Sequence, residues 1–177
     1  MAKLKRPSML MFLKVPAAGG TGTGTFHLAG VYSDDLSISY NPVTEESQDV
    51  TEVASTTDVT GYAMNISVAT KVVAKTGDKG YELSNYIQTL RRKLATAGDA
   101  ETEVLIVDTY EAGSTDGSYK ASKHRGTIQI DTYGGPASES LGVEYTVNIN
   151  GEPINGDVVV TKAANGDMTA EFTESTP

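Results

Sequence analysis

Two histidines, no cysteine and scattered carboxylates are the chemical resources of this 177-residue chain. The missing thiol removes a cysteine nucleophile, a disulfide framework and a zinc–cysteine site. His27 sits in Thr25-Phe26-His27-Leu28, which reads as a strand, and has no ligand-spaced companion. His124 stands among Lys120, Lys123 and Arg125, whose charges disfavour an imidazolium. No Gly-x-Ser-x-Gly elbow occurs, so a Ser–His–Asp site has no local support. Asp116-Gly117 and Asp157 lack the alternating Asp/Asn ligands of an EF-hand, and Asp34-Asp35 is only a fragment of an oxygen cage, open to an adventitious divalent ion. Gly19-Gly20-Thr21-Gly22-Thr23-Gly24 lacks the Gly-Lys-Ser/Thr ending and the following helix of a phosphate-binding loop. Lys120–Arg125 lacks the interleaved aromatics of a single-strand binder. The expectation is a protein with no enzymatic activity, no cofactor and no resident metal, which works through its surfaces.

Charge points the same way. The formal net charge of −9 argues against binding nucleic acid or an anionic membrane by charge attraction. No apolar run approaches the roughly 20 residues of a membrane span. Residues 1–14 carry Lys3, Lys5, Arg6 and Lys14 and no acid, whereas residues 33–60 carry Asp34, Asp35, Glu45, Glu46, Asp49, Glu52 and Asp58 and no base. Such blocks suit head-to-tail contact between copies, a basic arm meeting an acidic loop. The apolar stretch Met9–Leu13 ends at Lys14, short of the 7–15 residues of a secretory signal core. Residues 1–8 therefore read as a basic N-terminal arm leading into a first strand.

The elements that position these surfaces are mostly strands. Glycine numbers 18 and threonine, serine and valine are frequent, and the length fits one domain, residues 1–177. Leu36, Ile38 and Tyr40 alternate with Asp35, Ser37 and Ser39. Tyr62, Met64, Ile66 and Val68 alternate with Ala63, Asn65, Ser67 and Ala69. Ile128 and Ile130 stand opposite Gln129, Asp131 and Tyr133; Val143, Tyr145, Val147 and Ile149 stand opposite Glu144, Thr146 and Asn148. Strict alternation predicts half-buried strands with one wet face, whereas the unbroken run Val104–Val107 predicts a strand buried on both sides. Asn150-Gly151, Asn155-Gly156 and Asn165-Gly166 are turn signals, the last reading as a hairpin between Val158–Val160 and Met168–Phe172. Leu83, Tyr86, Ile87, Leu90 and Leu94 form one helical stripe. It predicts a helix over 81–97, capped by Asp78, with Arg91-Arg92-Lys93 in its last turn and Gly98 ending it. Between the strands lies residues 41–60, acidic and rich in Thr and Ser, with a weak extended stretch at Thr51–Ala54. It reads as a long loop that is either disordered or reaches out to be ordered by a partner.

The order and size of these elements resemble the major tail tube proteins of long-tailed, siphovirus-type bacteriophages. The carrying features are the basic arm before Met9–Val15, a strand pair flanking Asn41–Thr60, one mid-chain helix Tyr81–Ala97, and a C-terminal tail, residues 174–177. The segment Asn41-Pro42-Val43-Thr44-Glu45-Glu46-Ser47-Gln48-Asp49 has the character of the loops of that family. The resemblance implies an antiparallel β-sandwich with one flanking α-helix, six copies of which form a ring. Rings stack into a tube through which DNA is ejected. It further implies that Asp35, Ser37, Ser39, Ala63, Asn65, Ser67 and Ala69 face the lumen. Lys3, Lys5 and Arg6 would meet Glu45, Glu46, Asp49 or Glu52 between rings. The implied partners are other copies of the chain, the tail-tip and tail-terminator proteins, and DNA that passes without specific binding; no membrane is involved. The implied location is the virion tail, assembled in the host cytoplasm. A secreted β-sandwich adhesin or pilus-type subunit, a capsid decoration protein, a type VI secretion-like tube protein and an unrecognised enzyme are the competing classes.

Overall fold

The computed structural model describes residues 8–17, 23–33, 35–47 and 56–175. The expected contacts of Lys3, Lys5, Arg6, Asp49 and Glu52 lie outside the described residues, as do Asp34 and most of the glycine-rich run. The fold is mainly β and sandwich-like, with one α-helix among the described residues. In chain order it comprises β1 (Met9–Val15), β2 (Thr25–Leu28), β3 (Asp35–Ser39), β4 (Pro42–Ser47), β5 (Thr56–Tyr62), β6 (Asn65–Lys71), α1 (Tyr81–Lys93), β7 (Glu101–Ala112), β8 (Ser118–Gly134), β9 (Gly142–Lys162) and β10 (Met168–Glu174).

Eight strands form one antiparallel sheet in the order β10-β2-β1-β7-β8-β9-β6-β3, and β10 also pairs with β9. That extra pairing closes six strands on themselves and leaves β6 and β3 as a flange carried by β9. Phe12, Phe26, Leu105, Val107, Ala121, Val158 and Ala170 draw on all six closing strands and form one core. Met11, Leu13, Val104 and Ile106 point the other way, into a second core with Ile66, Val68, Tyr145 and Val147 of the flange and Leu83, Ile87 and Leu90 of α1. β1 and β7 thus serve two cores at once, which is why Met9–Leu13 and Val104–Val107 are unbroken apolar runs. Burying each large side chain contributes roughly 1.5–3 kcal/mol, so the cores fix which face of each strand is inside.

Five features differ from the sequence reading, the first in β8, where a bulge between Ile130 and Thr132 sets Tyr133 against Val143, on the side of Ile128 and Ile130 rather than opposite them. Residues 41–60 are not one structureless loop: β4 and β5 pair as a hairpin from Pro42↔Tyr62 to Ser47↔Thr56. Val43, Val59 and the threonines give these strands their β preference, and a backbone ladder forms without apolar burial. Asn41, at φ 41°, kinks the chain out of β3; it exchanges backbone and side-chain hydrogen bonds with Ala63 at 3.0 Å each. The helix ends at Lys93 rather than residue 97, with Leu94 in left-handed conformation at its C-cap instead of Gly98. At its start Gly80 (φ 79°), not Asp78, holds the N-cap, with no side-chain cap; a Cβ at Gly80 would lie 2.9 Å from Val31. Finally, Asn150-Gly151 and Asn155-Gly156 lie within β9. Lys123 and Arg125 pair with Ile154 and Asn150, so residues 151–153 bulge opposite His124. Only Asn165-Gly166 makes a turn, with Gly166 at φ 84° between β9 and β10.

Candidate functional site

The flange, consisting of β3, β6, the first part of β9 and the last part of β8, presents a wet face and a dry face in register. Ser37, Ser67, Thr146 and Gln129 form one row across the four strands; Ser39, Asn65, Asn148 and Thr127 form the next. Asp35, Ala69 and Glu144 lie in the row on the other side. Asp35, Ser37, Ser39 and Ser67 are exposed, and Asn65 and Ala69 are half-buried. Ala63, in the link between β5 and β6, is exposed as well. Six of the seven residues expected on one polar surface therefore share a sheet face, and the intervening Ile66 and Val68 are in the core. The exception to the opposite alternation is at the hairpin junction, where Tyr40 and Tyr62 are exposed and stack edge to face at 6.5 Å.

Sequence reasoning left half of this face unassigned. Asp131 accepts hydrogen bonds from Gln129 and Thr146 at 2.7 Å each. Asn148 donates to Gln129 at 3.5 Å and Asn150 to Thr127 at 3.1 Å. The alternation in β8 and β9 carried the signal, but pairing with β6 is what joins these residues to Ser67 and Asn65. The face is a network of neutral hydrogen-bonding groups with Asp35, Asp131, Glu144 and Lys71 as its flange charges.

The flange has two free edges among the described residues. β3 pairs only with β6, and β8 pairs with β7 no further than Thr127, so residues 128–134 pair with β9 alone. Four antiparallel strands make these two edges run in opposite directions. The β3 edge contains no lysine or proline, whereas the β8 edge carries a bulge between Ile130 and Thr132, with Asp131 at it.

The chemistry-bearing residues are dispersed or engaged structurally. His124 is buried with Nε2 3.0 Å from Ser122 Oγ, and burial, rather than its basic neighbours, lowers its pKa. His27 faces Asp167 at 3.6 Å. Asp157 is bound by Lys120 at 2.8 Å and by the Ser114 hydroxyl and backbone N–H. The Lys120 bond, followed by the two from Ser114, holds its carboxyl at about 2. This cluster ties the β7–β8 turn to β9. A concavity of about 660 Å³ is lined by residues that include Lys14, Glu103 and Arg125, and Lys14 is already paired with Glu103. No group of three His, Asp or Glu side chains is arranged to hold a metal ion among the described residues. No helix among them is long and apolar enough to cross a membrane.

No protein-family model matches this chain, and a search of curated proteins finds no match.

Proposed function

We propose that this chain is a structural subunit of a phage-type tail tube, assembling into stacked hexameric rings that conduct DNA. The observation that carries the reading is the flange: a four-stranded antiparallel sheet, polar on one face, with two free edges of opposite direction. Joining β3 of one copy to β8 of the next continues the antiparallel order. Six copies would close a continuous barrel and remove every exposed flange edge.

The wet faces would then line the lumen. Serine, threonine, asparagine and glutamine hydrogen-bond to one another and to water, and the flange acids repel phosphates, so DNA slides without being gripped. The β4–β5 hairpin leaves one end of the flange with Glu45, Glu46 and Asp58 exposed. It is suited to reach an adjacent ring, where the basic arm of Lys3, Lys5 and Arg6 would meet it. Tail-tip and tail-terminator proteins would contact the tube ends, in a virion tail assembled in the host cytoplasm.

Electron microscopy of concentrated protein, alone and with a nucleating tail-tip complex, tests this reading. It predicts rings or hollow tubes of uniform width. A monodisperse monomer under all these conditions, and absence of the chain from tubes in infected cells, would overturn it.

A further inference from the structure

The end of α1 breaks two local preferences at one residue. Leu94 is held at φ 48°, ψ 50° at the helix C-cap, where glycine or asparagine sits at least cost. It is also 82% exposed, despite belonging by spacing to the buried stripe. Beside it lies a groove of about 460 Å³, with Leu90, Leu94 and Ala97 on one wall and Ile128 and Ile130 on the other. The groove opens at the unpaired edge of β8, on the dry side of the flange. At the opposite edge of the flange, β3 presents Leu36 and Ile38 half-buried on the same dry side, followed by exposed Tyr40.

Charge is matched across these two edges. The last turn of α1 carries Arg91, Arg92 and Lys93, and Arg91 lies over the Tyr133 ring at 3.8 Å, against the β8 edge. The row containing Ser39 and Thr127 marks one end of the flange. At that end the chain leaves β3 for the hairpin, and Thr127 pairs with Glu101, which follows the helix end and the 3-10 turn Ala97–Ala100. The described hairpin strands carry Glu45, Glu46 and Asp58 and no base. An acidic hairpin at the β3 edge and a basic helix end at the β8 edge therefore sit at the same level.

We infer that the groove at the end of α1 is the seat for a second copy of this chain, receiving the dry side of its β3. Ile38 of the incoming copy fills the groove and Leu94 covers it, with Arg92 and Lys93 at the level where the incoming hairpin leaves its β3. This inference rests on the ring reading above and adds to it: the helix, not only the strand edges, selects the neighbour. Leu94 is then apolar for the assembly and exposed in the single copy.

Leu94→Gly separates the two roles. It relieves the left-handed strain, so the melting temperature of the unassembled chain stays level or rises. The concentration required for assembly rises roughly tenfold or more, the loss expected from one large apolar contact. Because the chain has no cysteine, Leu94→Cys supplies a single thiol for maleimide labelling; it reacts in the free chain and becomes protected on assembly. If Leu94→Gly assembles at the wild-type concentration, or the Leu94→Cys thiol stays reactive in rings, the seat is wrong while the ring stands. If the wild-type chain forms no rings at all, the ring reading falls, and the seat with it.

Discussion

Adjacent residues of β6 give the sharpest test of the sheet register. Ile66 is 0% exposed in the core shared with α1, whereas Ser67, the next residue, is exposed between Ser37 and Thr146. Ile66→Ala removes most of a fully buried side chain and leaves a cavity, which costs about 2–5 kcal/mol. For a chain of this size each kcal/mol shifts the melting temperature by about 2–4 °C, so the loss is on the order of 10 °C. Ser67→Lys adds a solvated side chain on the wet face and falls within about 0.5 kcal/mol of the parent, a shift of roughly 2 °C or less. Thermal melts by circular dichroism, run where the midpoint does not depend on concentration, read both values without a contribution from assembly. A one-residue slip exchanges every inward and outward side chain. A large loss for Ser67→Lys with a small one for Ile66→Ala would therefore refute the register and the face built on it.

Asp157→Asn tests the turn cluster through acid unfolding. The folded pKa of Asp157 is depressed, so its stabilisation is present above its ordinary value of 3.8 and is lost as pH falls toward about 2. The variant is expected to melt lower at neutral pH and to lose less on acidification across that window; parallel pH profiles would contradict this. Gly80→Ala forces a Cβ against Val31 at a φ of 79° and should lower stability by roughly 1–2 kcal/mol or more, seen as a lower denaturation midpoint in urea. Replacing Lys3, Lys5 and Arg6 together by serine should leave the melt unchanged and weaken ring stacking, because exposed pairs contribute only about 0.2–1 kcal/mol each but recur in every ring. Unchanged tube length by microscopy would remove the arm from the stacking contact. Ser67→Lys should also slow DNA release in an assembled tail, since every copy adds a cation to the lumen wall; release at the parental rate would count against the lumen assignment.

What the sequence made legible were the parts governed by periodicity. Ile66 and Val68 against Ser67, and Tyr145 and Val147 against Thr146, announce their faces because burial in a pleated strand repeats every two residues. The run Val104–Val107 announces two cores for the same reason. The hairpin was hidden because its stability comes from backbone pairing and β-branched residues, while its acids dominate the composition. Asn150-Gly151 signals a positive φ, and Gly151 does adopt φ 77°, but the chain uses it in a bulge and not a turn. Gly156 is small for a different reason: a Cβ there would run into the Phe172 ring. Leu94 belongs to the stripe by spacing, and only the early end of the helix turns it outward. The wet face was half legible: its members were visible strand by strand, but their union depends on which strands pair, and that is set by long-range register.

Hydrogen exchange at the two flange edges tests the central claim most directly. In the free chain, β6 and the first part of β9 should be protected on both sides, while the outward amides of residues 35–39 and 128–134 exchange fast. In the assembled protein both edges should become protected together, because each supplies the partner of the other in the neighbouring copy. Assemblies in which these two edges still exchange at the rate of the free chain, with protection gained only in the β4–β5 hairpin, would contradict the joined-sheet ring.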